Sequence, residues 1–151
     1  MKDLNQEITI QPFQPKDQAQ ARALILVGLV EHWGTLDPGK NPDLEDILLS
    51  YAEGVFLVAW QQERMIGTGA LVPRGEGTGE IVRMSLVKDL RRQGVGSRIL
   101  ERLIEEAKTL GLRQLVLETT ETWQEAIAFY QCHGFVETHH KDGDVYFRLE
   151  I

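Results

Sequence analysis

Arg91-Arg92-Gln93-Gly94-Val95-Gly96-Ser97 is the stretch on which the reading of this chain turns, together with what flanks it. Upstream, Glu80-Ile81-Val82-Arg83-Met84-Ser85-Leu86-Val87 is an apolar, β-branched run of strand length. Downstream, Val95, Ile99, Leu103 and Ala107 recur every fourth residue with Leu100 and Ile104 beside them, the period of an amphipathic helix. The pattern is strand, short basic glycine turn, helix. A helix that starts in such a turn presents unpaired backbone N–H groups and the positive end of its dipole, and glycines let a ligand approach the main chain. An anion, in particular a pyrophosphate, is expected there.

Spacing separates three phosphate-binding patterns. A P-loop requires G-x-x-x-x-G-K-[ST], and no Lys-Ser or Lys-Thr follows Gly96. A dinucleotide fold requires G-x-G-x-x-G. Gly94 and Gly96 supply the first two glycines and Glu118 could imitate the ribose-binding acid, but Ile99 stands in the third place, where helix and strand must pack closely. The pattern R/Q-x-x-G-x-G/A is met at all three fixed positions, by Arg91, Gly94 and Gly96. It resembles the coenzyme A loop of the GNAT superfamily, the GCN5-related N-acetyltransferases.

The 151 residues suit one domain, 1–151, and a hydrophobic content of 42% is enough to form a core. No linker, repeat or low-complexity run divides them. The start, Met1 to Glu7, lacks the apolar segment of a signal peptide, and no 18-residue apolar run is present to span a bilayer, so a cytoplasmic location is expected. The single cysteine, Cys132, rules out an internal disulfide and agrees with a reducing compartment. A net charge of −7 argues against nucleic-acid or anionic-membrane partners and leans towards a cationic one.

Taken in order, Glu7 to Phe13 alternates as a half-buried strand through Ile8, Ile10 and Pro12. Pro15-Lys16-Asp17 starts a helix running through Ala19, Ala23, Leu26, Val27 and Val30 to Gly34. The turn-rich segment from His32 to Pro42 follows, then an acidic-headed helix from Asp43 to Leu49. His32, Trp33 and Asp37 in that segment are candidates for an acceptor-binding rim; Trp33 could equally staple helices to the sheet. Val55–Trp60 and Met65–Val72 form a hairpin, and Arg74 to Gly79, with three glycines, is expected to be a flexible loop. After the glycine turn and its helix come a strand at Leu115–Leu117, a helix with Trp123, Ala126, Ile127 and Tyr130 on one face, and a closing hairpin of Phe135–Thr138 and Val145–Leu149. The order β-α-α-β-β-β-α-β-α-β-β indicates an α/β fold with a mixed central sheet flanked by helices.

That order is also the GNAT-like one, and Ala126-Ile127-Ala128-Phe129-Tyr130-Gln131-Cys132-His133-Gly134-Phe135 is similar to the family's second signature, A-x-x-F/L-Y-x-x-x-G-F. One departure stands out: members often have Asn where this chain has Trp123, and an indole cannot accept a hydrogen bond from the cofactor. The resemblance implies transfer of an acetyl group from acetyl-CoA to a primary amine by direct attack. It implies that the N–H groups from Gln93 to Ser97 hold the pyrophosphate with Arg91 or Arg92 adding charge. Pantetheine would pair along Met84, Ser85 and Leu86, and a splay in the sheet just beyond would admit the thioester.

Amine acetylation needs a proton acceptor for the amine and a proton for the departing thiolate. The resemblance makes Tyr130 the general acid, although the same residue would also complete its helix's apolar stripe. Strict alternation sets Glu80 on the face of Val82, Met84 and Leu86, beside apolar neighbours that raise a carboxylate's proton affinity, and makes it the leading base. Glu80 could instead only attract the cationic amine. His139 and His140 point to opposite faces of a strand, Cys132 is turned away from Tyr130, and His133 suits the negative end of its helix. There is no G-x-S-x-G elbow and no metal-ligand spacing. A small-molecule amine is the expected acceptor, with a protein lysine or N-terminus, or a catalytically silent acyl-CoA sensor, as alternatives. Exposed terminal strands in such a fold permit a homodimer.

Overall fold

The computed structural model describes residues 7–37 and 39–151. Met1 to Gln6, and Pro38 of the turn-rich segment, lie outside the described residues. In chain order the elements are β1 (Ile8–Pro12), α1 (Gln18–Trp33), α2 (Ile47–Ser50), β2 (Val55–Gln61), β3 (Arg64–Gly75), β4 (Thr78–Leu86), α3 (Val95–Thr109), β5 (Gln114–Thr120), α4 (Gln124–Cys132), β6 (Val136–Lys141) and β7 (Asp144–Glu150). All the strands join one sheet of order β1-β2-β3-β4-β5-β7-β6. Only β4 and β5 run parallel; the other neighbours are antiparallel. The expected element order and mixed sheet are both present.

α3 packs one face of the sheet through Val95, Ile99, Leu100, Leu103 and Ala107, all fully buried, each of the large ones contributing about 1.5–3 kcal/mol. Tyr130 from α4 and Phe135, Val145 and Phe147 extend that core. On the opposite face α1 and α2 cover β2 to β4 with Ala21, Ile25, Leu44, Ile47, Phe56, Val58 and Ala70.

Three local expectations are corrected. In α1 the buried positions are Ala21 and Ile25, whereas Ala19, Ala23, Val27 and Val30 are exposed. Apolar residues surround this helix, so periodicity could not select the covered face. The helix expected over Asp43 to Leu49 is a 3-10 turn, Pro42–Leu44, followed by the single turn α2. Gln18 breaks the continuity by donating to the carbonyls of Leu44 and Glu45 and accepting from the N–H of Ile47, while Asp46 caps α2 through the N–H of Leu49. The expected loop from Arg74 to Gly79 is instead a tight hairpin between β3 and β4. Gly75, Glu76 and Gly77 all have positive φ, and the Gly77 carbonyl accepts from the N–H groups of Arg113 and Gln114. The glycines serve the turn rather than mobility.

Candidate active site

β4 and β5 pair at only three positions, Thr78↔Gln114, Gly79↔Leu115 and Glu80↔Val116. β4 then continues to Leu86 and β5 to Thr120 without meeting, so the sheet opens immediately past Glu80. A bulge lies at the opening. Thr68 pairs with Ser85 and Ala70 with Val82, so Gly69 faces two residues of β4, and Arg83 takes φ 55°. Bulges bend and twist a strand, which carries β4 away from β5. Two contacts pin it: Thr68 Oγ1 donates to the Arg83 carbonyl at 2.8 Å, and Arg83 donates to both oxygens of Asp43 at 2.9 and 2.6 Å.

The bulge also restarts the alternation. Val82 packs with the α1 and α2 core, while Met84 and Leu86 pack with the α3 core. Glu80 therefore does not share a face with Met84 and Leu86, contrary to strict period-2 reading. Ser85 turns to α1, where a Cβ on Gly28 would lie 3.0 Å from its hydroxyl.

After β4 a 3-10 turn, Lys88–Leu90, leads into the glycine loop. Arg92 (φ 67°) and Gly94 (φ 86°) are both left-handed, and α3 starts at Val95 with no side chain capping it. A Cβ on Gly94 would meet nothing within 4 Å, so this glycine is required by backbone geometry and leaves open space beside the helix start. Gly96 is closely packed: a Cβ there would lie 3.3 Å from Leu86 and 3.4 Å from the Phe129 ring of α4, which leaves room for little more than a methyl group. Arg91 donates to the Leu86 carbonyl at 3.2 Å and pairs with Glu31 of α1 at 3.0 Å; Arg92 pairs with Glu125 of α4. Gln93 donates to the Asp89 carbonyl.

His32 stacks on Trp123, the residue before α4, with ring centroids 4.0 Å apart, and meets Trp33 edge-on at 4.6 Å. Its Nε2 is buried without a hydrogen-bond partner among the described residues. This aromatic group joins the end of α1 to the start of α4, beside the Glu31–Arg91 pair. Asp37 is exposed and caps the N–H of Gly39. None of His32, Trp33 and Asp37 lines the cleft described next.

On the α1 and α2 side a cleft of about 510 Å³ lies against the opening, lined among others by Asp43, Tyr51, Arg74, Glu80, Arg83 and Glu118. Glu80 Oε1 accepts from Arg74 Nε at 2.8 Å and lies 2.7 Å from Arg74 Nη2, so its neighbour is a guanidinium rather than an apolar wall. Leu115 and Leu117 face the α3 core, which turns Glu118 to the cleft side two residues past the last paired position. The cross-strand partner of Glu118 is Tyr146, whose phenol the Glu118 carboxylate holds up at about 12. Burial and the bond to Asp43 likewise push Tyr51 up to about 12. Burial alone would raise Asp43, but hydrogen bonds from Arg83 and Tyr51 and the charge of Arg83 outweigh it and hold the carboxyl below its usual range.

Tyr130 is buried against Phe129, Phe135 and Phe147, and burial lifts its phenol well above the tyrosine range. His133 caps α4 as expected, its Nδ1 bonded to the Phe129 carbonyl at 2.8 Å. His139 stacks on Tyr146, His140 pairs with Glu137 and Glu121, and Cys132 is exposed.

A family model described as Acetyltransferase (GNAT) family matches residues 20–135. The chain belongs to the GNAT acetyltransferase family. This GNAT protein is therefore an acetyl-CoA-dependent acyltransferase. It is 35% identical over 111 residues to an IAA acetyltransferase of Azospirillum brasilense, covering 72% of each chain. It is 32% identical over 103 residues to a probable N-acetyltransferase 14 of Xenopus tropicalis, 66% of this chain and 50% of that one. Among solved structures, a GNAT-family acetyltransferase from Staphylococcus aureus superposes with a TM-score of 0.87 at 21% identity, over 95% and 98% of the two chains. The paiA N-acetyltransferase of Thermoplasma acidophilum, solved with coenzyme A, gives 0.84 at 17% identity over 95% and 99%. At those identities the structures speak for the fold alone.

Sequence reading missed Arg74, Asp43, Tyr51 and Arg83 as cleft residues, and saw Glu118 only as an imitation of a dinucleotide-binding acid. For Glu118 a signal existed: alternation with Leu115 and Leu117 turns it from the core. Where the parallel pairing stops carries no such signal.

Proposed function

We propose that this GNAT enzyme transfers the acetyl group of acetyl-CoA to a primary amine of a small molecule by direct attack. The observation that supports the reading best is the opening past Glu80. It has the uncapped start of α3 and the unpartnered edge of β4 on one side, and a carboxylate-lined cleft on the other.

The residues present suit coenzyme A. Open space beside Gly94 and the free N–H groups from Gln93 to Ser97 would take the pyrophosphate, with Arg91 and Arg92 turning from Glu31 and Glu125 towards it. The backbone of Met84, Ser85 and Leu86 would pair with pantetheine amides as an added strand does. Trp123 and His32 would wall the mouth. When bound, acetyl-CoA supplies the acyl group as a thioester.

The chain's own part is proton handling. Glu80 Oε2, not engaged by Arg74, takes the proton of the incoming ammonium, and Glu118 holds its charge. Tyr130 keeps its proton throughout the neutral range and donates it to the leaving sulfur. Expected acceptors are small amines rather than peptides, because Tyr51, Asp43 and Arg83 bound the cleft on one side. The test is free-thiol release from acetyl-CoA with alkylamines, polyamines, amino acids and peptides. Glu80→Gln should lower the maximum rate by ~10²-fold or more at neutral pH and recover partly at high pH, where free amine is abundant. Thiol release without an acetylated amine, or with peptides alone, refutes the reading.

A further inference from the structure

The charges of the cleft beside Glu80 are not those of a simple cation trap. Three carboxylates, Asp43, Glu80 and Glu118, face two guanidiniums, Arg74 and Arg83. Arg83 is committed to the fold. Its side chain is 18% exposed, it spans both oxygens of Asp43, and Tyr51 donates to the same carboxylate at 2.6 Å.

Arg74 is held differently. It sits at the end of β3 beside the hairpin, its side chain is 51% exposed, and its Nε and Nη2 both address one oxygen, Glu80 Oε1. That leaves the two-on-two match of a guanidinium with a carboxylate unmade. No guanidinium or ammonium among the described residues pairs with Glu118, which lines the cleft opposite Tyr146 of β7. The cleft thus offers an uncompensated anion on one side of Glu80 and an exchangeable cation on the other.

We infer that the acceptor is a dipolar amine, one that carries a carboxylate close to its amino group and uses both ends of this cleft. This rests on the amine-acetylation reading above and narrows it. The acceptor's carboxylate takes Arg74 in a two-on-two pair. Glu80 is thereby released from Arg74 and turns to the ammonium, which Glu118 holds from the other side. The ammonium loses one proton to Glu80, and the amine lone pair forms the new bond to the acyl carbon as the carbon–sulfur bond breaks; the departing thiolate takes the Tyr130 proton, and the second proton shed by the nitrogen restores the phenol. An alkylamine or a peptide N-terminus brings no nearby carboxylate to Arg74, so Glu80 stays held at Oε1 and meets the ammonium with Oε2 alone. A diamine brings a second cation to a place already holding one.

The experiment compares acceptors matched in chain length: an amino acid, its amide and the parent alkylamine, for α-, β- and γ-spaced cases, each at a pH giving the same fraction of free amine. In the wild type kcat/KM for the best-spaced amino acid should exceed that for its amide and for the alkylamine by about tenfold or more. Arg74→Gln should bring that ratio close to one, and Arg74→Lys should restore part of it. Calorimetric titration of the amino acid into enzyme saturated with desacetyl coenzyme A should show binding that Arg74→Gln weakens by a similar factor, a readout independent of turnover. Amides or alkylamines used as well as the amino acid would overturn the inference while leaving amine acetylation standing. So would an Arg74→Gln loss equal for every acceptor, which would make Arg74 only a support for Glu80. Acetylation of no amine by protein that acetyl-CoA still stabilises would overturn both.

Discussion

Asp43→Asn tests the device that holds the sheet open. Asp43 and Arg83 are 28% and 18% exposed, forty residues apart in sequence, and joined by two hydrogen bonds; the pair ties the 3-10 turn before α2 to the bulge in β4. The substitution keeps the shape but strands a largely buried guanidinium without its counter-ion. Breaking a fully buried pair costs about 3–5 kcal/mol, and with roughly a quarter of this one in water about 2–3 kcal/mol is expected. For a chain of this length that lowers the melting temperature by about 5–10 °C. Arg83 also holds φ 55°, which a residue with a Cβ tolerates poorly. Arg83→Gly should therefore be about 1 kcal/mol more stable than Arg83→Ala although both lose the ion pair. The pH dependence has a defined sign. The folded-state pKa of Asp43 is depressed, so its contribution is present above the unfolded value of about 3.9 and is lost as pH falls through the folded value. The difference between wild type and Asp43→Asn should accordingly narrow as pH falls below about 4. Urea unfolding followed by circular dichroism, at neutral pH and in steps towards acid, measures all three. A loss below about 0.5 kcal/mol for Asp43→Asn, with Arg83→Ala and Arg83→Gly alike, would show that the bulge does not depend on this pair.

Acetyl-CoA at about 100 times its dissociation constant should stabilise the protein by roughly 2.7 kcal/mol in thermal-shift or denaturant titrations, whereas NAD and ATP at equal concentration should not; equal shifts with NAD would refute the pyrophosphate assignment. Gly94→Val, at φ 86°, should cost about 1–3 kcal/mol of stability without any clash, and should cut the acetyl-CoA shift further by filling the space beside the helix start. Tyr130→Phe should lower kcat by about 10²- to 10⁴-fold with acetyl-CoA affinity nearly unchanged; a loss of stability or affinity alone would make Tyr130 a core residue and nothing more.

The α3 unit was legible because local and global demands coincide there: the residues that give the helix its period are those the sheet buries. The glycine motif was legible for two separate reasons, a left-handed backbone at Gly94 and close packing at Gly96. The covered face of α1 was not, since a helix apolar on every side carries no phase. The hairpin at Gly75 to Gly77 was hidden because the same glycines suit a tight turn and a loose loop, and only the contacts of Arg113 and Gln114 decide between them. Least legible was the face of Glu80. One inserted residue reverses every later side chain, and the insertion falls on an arginine, a residue type that gives no warning of positive φ.

That hidden irregularity is also where the proposed site lies. Had β4 and β5 stayed paired to their ends, the main-chain groups of both would be satisfied within the sheet, with no strained residue required. Instead the pairing stops at Glu80, and β4 runs on to Leu86 with its β5-side edge lacking a strand. One of its carbonyls, that of Leu86, is met by a side chain, Arg91, which is at the same time engaged by Glu31. A linear ligand with amide groups along its length and phosphates at one end would satisfy what the fold leaves open: the edge of β4, the uncapped start of α3, and the two arginines now held by acids of α1 and α4. Binding of that kind would replace contacts rather than merely add them, with Glu31 and Glu125 competing with the phosphates for the same guanidiniums. Their removal should tighten acetyl-CoA binding while loosening the attachment of α1 and α4 to the loop, an outcome opposite in sign to that expected of acids which only stabilise the fold.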